Sequence, residues 1–179
     1  MALKSTIYKI DLNIADMDRQ YYAQHSLTLA RHPSETDERV MVRLMGFTMY
    51  ANEALTFGKG LSDDEEPDLW QKDLTGAIEL WMDVGLPTEK DIRKACGRAR
   101  QVVVMLYGGR VADMWWAQNS KALIKLNNLT VINLPETEAL SNIANRGLTI
   151  SCTIQDGQIL VGHDTGSFEL TPIVLKEIS

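Results

Sequence analysis

Hydrophobic and polar positions alternate at the start of the chain. Over residues 5–15, Ile10, Leu12 and Ile14 interleave with Lys9, Asp11 and Asn13, the pattern of a half-buried strand. Asp16-Met17-Asp18 suits a turn, and alternation resumes from Tyr21 to Arg31 through His25, Leu27 and Leu29, which predicts an amino-terminal β-hairpin. His32-Pro33 breaks the pairing. Ser34 is the expected N-cap of a helix, with Glu35 and Asp37 in the first turn where acids suit the helix dipole. Val40, Leu44, Met45, Phe47, Ala51 and Leu55 carry that helix to about Phe57; it is apolar on more than one stripe, so heavy burial is expected. Gly58-Lys59-Gly60 ends it, and residues 58–67 read as a loop.

From Gly76 to Val84 a period of two puts Ile78, Leu80, Met82 and Val84 on one face and Glu79, Trp81 and Asp83 on the other. Gly85-Leu86-Pro87 closes this strand, and Thr88 can cap a helix reaching roughly Arg100, with Ile92, Ala95, Cys96 and Ala99 inward. Lys90, Lys94 and Arg98 recur every four residues, so the opposite face is basic. Gln101 to Tyr107 is a continuous apolar run, as in a strand buried on both faces, and strand–helix–strand implies a parallel crossover. A helix over Val111–Leu123, a strand over Leu129–Leu134 and a helix over Pro135–Ala144 follow. Leu148–Gln155, Asp156-Gly157 and Gln158–Gly162 form a hairpin signal, and Phe168 to Leu175 suits an edge strand that tolerates Pro172. The expected architecture is α/β: a single domain over residues 1–179, with a mixed central sheet flanked by helices plus amino- and carboxy-terminal hairpins.

Composition narrows the function classes. The chain has 179 residues, 45% hydrophobic and 23% charged, enough to bury a core and too apolar for general disorder. No apolar run approaches membrane-spanning length, and the start from Met1 to Ile7 lacks a signal core. Cys96 and Cys152 have no metal-type spacing and read as reduced thiols, so a cytoplasmic location is expected. A net charge of −6 argues against charge-driven grip on duplex DNA, although Asp63-Asp64-Glu65-Glu66 supplies part of the excess as one run, most simply a solvated loop.

The chemistry-bearing positions are acids at strand ends. Asp83 ends a predicted strand where a helix begins, the edge at which open α/β sheets bind ligands; the bland alternative is a surface acid. Asp68 follows Pro67 in a pair that is also common in turns. Two carboxylates meeting at a strand end would suit Mg²⁺ or Mn²⁺, hard cations that take oxygen ligands. Glu79 lies too far back along the strand to share that metal and suits a salt bridge. Glu38 either aims at the same pocket from the first helix or only complements its dipole, and Arg39 and Arg43 serve either phosphate contacts or ion pairs. Trp115-Trp116 could stack on bases or fill core. The scattered histidines, the missing nucleophile elbow and the missing phosphate loop give no support to a zinc site, a serine triad or a nucleotide-binding loop.

His32-Pro33-Ser34-Glu35-Thr36, followed by Glu38-Arg39, then Leu80-Trp81-x-Asp83-x-Gly85-Leu86-Pro87, Lys94-Ala95-Cys96 and Ile154-Gln155-Asp156-Gly157, resemble the bacterial YaeQ family over nearly the whole chain. That family is similar in fold to the PD-(D/E)xK nucleases. The resemblance implies a metal-dependent nuclease with Asp68 and Asp83 as catalytic and metal-binding acids, Glu38 as an assisting metal ligand, Mg²⁺ or Mn²⁺ as cofactor and nucleic acid as partner. The motif lysine two residues after the acid is replaced by Gly85; Lys94, then Lys90, are the substitutes the resemblance offers. The other reading is an inactive nuclease-like scaffold that binds a partner or serves a transcription-related regulatory role. Nothing in the sequence fixes an oligomeric state.

Overall fold

A computed structural model describes residues 4–179; Met1 to Leu3, part of the start read as lacking a signal core, lie outside the described residues. The amino-terminal alternation becomes β1 (Thr6–Asp16) and β2 (Tyr21–Arg31), paired antiparallel from Thr6 opposite Arg31 to Asp16 opposite Tyr21. Tyr8, Ile10, Leu12 and Ile14 face the core while Lys9, Asp11 and Asn13 face water, as the period of two requires.

Helix α1 (Asp37–Tyr50) follows and is buried at every position from Val40 to Thr48. It packs against β2 on one side and, on the other, against β4 (Leu69–Lys72) and β5 (Ile78–Val84), so it lies between two sheets. That position explains an apolar surface wider than one stripe. The helix is shorter than expected. Ala51 leaves the helical conformation, and Asn52 Oδ1 accepts from the backbone N–H groups of Ala54 and Leu55 at 2.7 and 3.0 Å, turning the chain into β3 (Leu55–Phe57). Leu55 and Phe57 thus belong to a strand. The cap also differs: Thr36 accepts from Arg39 N, while Ser34 bonds the ring of His32.

The remaining elements are α2 (Glu89–Arg98), β6 (Ala99–Leu106), α3 (Arg110–Leu123), β7 (Leu129–Asn133), α4 (Glu138–Ile143), β8 (Gly147–Gln155), β9 (Gln158–His163), β10 (Gly166–Leu170) and β11 (Ile173–Lys176). Two sheets result, in the orders β10-β9-β8-β1-β2 and β11-β7-β6-β5-β4-β3. The expected terminal hairpins are not separate appendages, because β1 pairs parallel with β8 and merges them into one five-stranded sheet. Phe168–Leu175 is not one edge strand either. The chain breaks at Thr171-Pro172, so β10 edges the first sheet and β11 the second.

In the second sheet β5, β6 and β7 run parallel, with α2 and α3 as the crossovers. Leu80, Met82 and Val84 of β5 face α1; Trp81 faces the opposite layer with Ile92 and Ala95 of α2 and Val102 and Val104 of β6. Ile78 packs on the Trp81 side, contrary to the simple alternation, because the β4–β5 register slips between Gln71 and Lys72.

Gly46 marks where α1 meets β5. A Cβ there would stand 2.6 Å from Met82 Sδ. A side chain there would have to displace the Met82 thioether from the space it fills between helix and strand. Gly46→Val is expected to lower stability by about 2 kcal/mol through overpacking, read as a lower urea midpoint with an unchanged slope.

Candidate functional site

The ladder pairs Leu69 with Met82 and Trp70 with Trp81, and Asp68 precedes Leu69 just as Asp83 follows Met82, so the two aspartates lie at adjoining ends of β4 and β5. They are close enough for the Asp68 charge to act on the Asp83 carboxyl. Both aspartates line a cleft of about 1020 Å³ at the carboxyl ends of β5 and β6, with Gly85, Lys90, Lys94 and Tyr107 among its walls. This is the edge at which an α/β sheet presents ligand sites.

Asp68 is buried, and its charge is met from α1. Arg39 Nη2 donates to both Asp68 oxygens at 2.9 Å each and to the Val84 carbonyl at 3.0 Å, while Val84 N donates to Asp68 Oδ2 at 2.8 Å. Arg39 Nη1 reaches Glu35 Oε2 at 2.7 Å; Arg43 donates to both Glu35 oxygens at 2.9 Å and to the Ala30 carbonyl at 2.9 Å. Asp68, Arg39, Glu35 and Arg43 therefore form a neutral chain of alternating charge, with Glu35 and Arg43 each 5% exposed. Burial pulls the Arg39 pKa down, but the Asp68 and Glu35 carboxylates outweigh it and hold the guanidinium above its ordinary value. Of the two readings open for Arg39 and Arg43, the ion-pair role is the one their contacts show.

Asp83 is treated differently. Burial raises its pKa to about 6, the nearby Asp68 charge adds to the rise, and the Trp81 Nε1 donation to Oδ2 at 2.9 Å, with Arg39, only partly offsets it. Trp81 itself lies under the Arg98 guanidinium, 5.0 Å from the ring centre.

The basic face of α2 reaches the cleft mouth. Lys94 Nζ donates to Glu65 Oε1 at 3.1 Å and Arg98 Nη1 to Glu65 Oε2 at 3.2 Å. Lys94 thus shares the cavity with the two aspartates, yet its hydrogen bond goes to the acidic segment Asp63–Glu66, which is more than a free solvated loop. Gly60, in the short 3-10 turn Gly60–Ser62 that precedes this segment, has φ +52°, and a Cβ there would stand 2.5 Å from Asp68 Oδ1. Gly85 has φ +111°, a backbone that favours glycine and would strain the lysine that the nuclease resemblance implies there.

Glu38 is not brought to the aspartate pair. Its Oε2 accepts from Thr137 Oγ1 at 3.1 Å, beside α4, and it does not line the cleft. Glu79 pairs with Arg100 at 3.4 Å, the salt bridge expected of it. Trp115 Nε1 donates to the Pro87 carbonyl at 3.0 Å, and both Trp115 and Trp116 are half-buried against the outer core, which accords with core filling. Among the described residues no three His, Cys, Asp or Glu side chains converge into a ready metal cage.

The fit of the site to Mg²⁺ or Mn²⁺ turns on Arg39. The Asp68 oxygens and the Val84 carbonyl converge on one point, and a guanidinium nitrogen stands there. A hard dication needs such oxygens for itself and would be repelled by the adjacent cation. As arranged, the residues do not fit the metal. Glu35, expected only as a first-turn acid, is the site residue whose role the sequence did not show; its spacing of four from Arg39 and of eight from Arg43 was the available signal.

Two stability outcomes follow from these environments. Glu35→Ala strands the buried Arg43 guanidinium, while Arg39 keeps Asp68, and is expected to cost about 3 kcal/mol, whereas Glu65→Ala removes only exposed pairs and should cost about 0.5 kcal/mol or less; urea melts of the two variants check the contrast. Asp83 holds its proton more tightly folded than unfolded, so ionising it costs stability as pH rises from its ordinary 3.8 through about 6. Asp83→Asn should therefore gain on the order of 2 kcal/mol over the natural chain at pH 8, with the gain gone below about pH 4; denaturation across pH measures it.

The family model "YaeQ protein" matches residues 1–172. The chain is 44% identical over 172 residues to "Uncharacterized protein YaeQ" of Escherichia coli K12, covering 95% of each, and 43% identical to its namesake in Salmonella typhi over 95% of each. The crystal structure of YaeQ protein from Xanthomonas axonopodis pv. citri superposes with a TM-score of 0.93 at 50% identity, covering 96% of this chain and 98% of that one. The YaeQ structure from Pseudomonas syringae gives a TM-score of 0.90 at 35% identity, covering 97% of each. The chain belongs to the YaeQ family.

Proposed function

We propose that this chain hydrolyses phosphodiester bonds in nucleic acid, with Asp83 as the carboxylate that takes the proton of the attacking water. One observation carries the reading: Asp68 and Asp83 sit side by side at the carboxyl edge of the sheet, in a cleft rimmed by Lys90 and Lys94. This is the acid pair that the nuclease resemblance implies. A phosphate entering the cleft meets the α2 cations, whose bonds to Glu65 are exposed and therefore cheap to exchange. Lys94 would then balance charge on the phosphate while Asp83, ionised at neutral pH, accepts the proton; solvent protonates the leaving alkoxide. The resemblance implies Mg²⁺ or Mn²⁺, but with Arg39 Nη2 among the oxygens no step is assigned to a metal.

A second reading, a non-catalytic binding or regulatory scaffold, draws on two observations: Gly85 replaces the motif lysine, and Asp68 is already neutralised by Arg39. Single- and double-stranded DNA and RNA oligonucleotides, each with and without Mg²⁺ or Mn²⁺, distinguish the two. Cleavage is expected to rise as pH passes about 6 and to fall at least ~100-fold in Asp83→Asn, a variant that still melts cooperatively. Cleavage undiminished in Asp83→Asn sinks the assignment. No cleavage of any oligonucleotide by the natural chain gives the scaffold reading.

A further inference from the structure

We infer that Arg39 is the built-in cation of a latent divalent-metal site, and that the Asp68–Val84 oxygen cage accepts a dication only when this guanidinium is withdrawn. The geometry is that of a cation among oxygens. Arg39 Nη2 has both Asp68 oxygens at 2.9 Å and the Val84 carbonyl at 3.0 Å, and the Asp83 carboxylate opens onto the same cleft. Magnesium–oxygen distances are ~2.1 Å, so the donors need only contract by somewhat under ~1 Å around a metal, with water completing the shell. Oxygens of this hardness select Mg²⁺, Mn²⁺ or Ca²⁺ over softer ions.

The guanidinium is anchored independently of the cage. Its Nη1 bond to Glu35 at 2.7 Å and the Arg43–Glu35 pair would persist if Nη2 let go. Glu35 also keeps two Arg43 contacts if Arg39 is removed, so the loss of Arg39 leaves Glu35 compensated by Arg43 and only Asp68 open to another cation. With Arg39 in place, a dication meets a fixed positive charge at contact distance, and the Asp68 charge it would neutralise is already spent. The proposal does not depend on hydrolysis, because it concerns which cation the cage holds.

The test measures Mn²⁺ binding to the full chain by electron paramagnetic resonance and calorimetry, with no substrate present. The natural chain is expected to bind Mn²⁺ at least tenfold more weakly than Arg39→Ala. Arg39→Lys, which keeps a cation, should stay weak, and Arg39→Ala/Asp68→Asn should lose the gained affinity. Melting temperature supplies a second readout: Mn²⁺ should raise that of Arg39→Ala and leave that of the natural chain unchanged. If Arg39→Ala does not fold without metal, Arg39→Gln, neutral and nearly as long, takes its place in both measurements. Equal Mn²⁺ affinity in the natural chain and the neutral variants overturns the proposal, as does tight binding by the natural chain that Asp68→Asn removes. Oligonucleotide cleavage by the same preparations is scored separately, so loss of the hydrolase reading leaves this result standing.

Discussion

Charges cannot be left alone in a protein interior, and much of this structure follows from how four of them are matched. Removing a guanidinium or a carboxylate from water costs several kcal/mol unless a partner and hydrogen bonds replace the lost solvation. Arg43, Glu35, Arg39 and Asp68 meet that condition as one alternating chain running from the end of β2, through the start of α1, to the head of β4. The chain therefore ties the first sheet to the second through the helix between them. It also fixes the orientation of the Asp68 carboxylate, which accepts from Arg39 and from Val84 N. The neighbouring Asp83 has no such partner, and its high pKa records that difference. Two acids at adjoining ends of β4 and β5 have been given opposite electrostatic surroundings, the condition under which carboxylates take different roles.

Local patterns in the sequence were legible where local forces decide. The period of two in β1 and β2, the Thr88 cap and the Asp156-Gly157 turn each stand where the pattern puts them, although the turn is also held by Asp18, whose carboxylate accepts from both of its backbone N–H groups. The misreadings have a common cause in tertiary demand. Ser34 and Thr36 are both competent caps, and Glu35 between them is drawn to the two arginines, which leaves Thr36 as the cap. Leu55 and Phe57 fit either a helix or a strand, and Asn52 together with the waiting edge of β4 settles the matter. The pairing of β1 with β8 spans most of the chain and leaves no local trace.

The candidate site divides in the same way. Motif spacing finds Asp68 and Asp83, and the ladder brings them together. Nothing in the spacing shows that Arg39 stands against Asp68, that Glu38 turns to Thr137, or that Lys94 meets Glu65. Each of these depends on where two separate elements come to rest. Gly85 is the instructive intermediate: its absence of a side chain is visible in the sequence, but the backbone angle that favours glycine there is not.

The place of β1 between β2 and β8 in the first sheet bears on how the chain folds. β1 and β2 are neighbours and can pair early, whereas β8, the other partner of β1, begins at Gly147. At roughly 5–20 residues per second on the ribosome, the outer edge of β1 waits on the order of ten seconds for its partner to be made. Throughout that interval the first hairpin offers an open row of N–H and C=O groups along the edge of β1 that β8 will pair, even though α1, made directly after β2, is already there to cover its apolar row. A nascent chain of this topology is most exposed to mispairing before its last third is synthesised, and a factor that shields its first thirty residues would act at the step where folding is slowest to become safe.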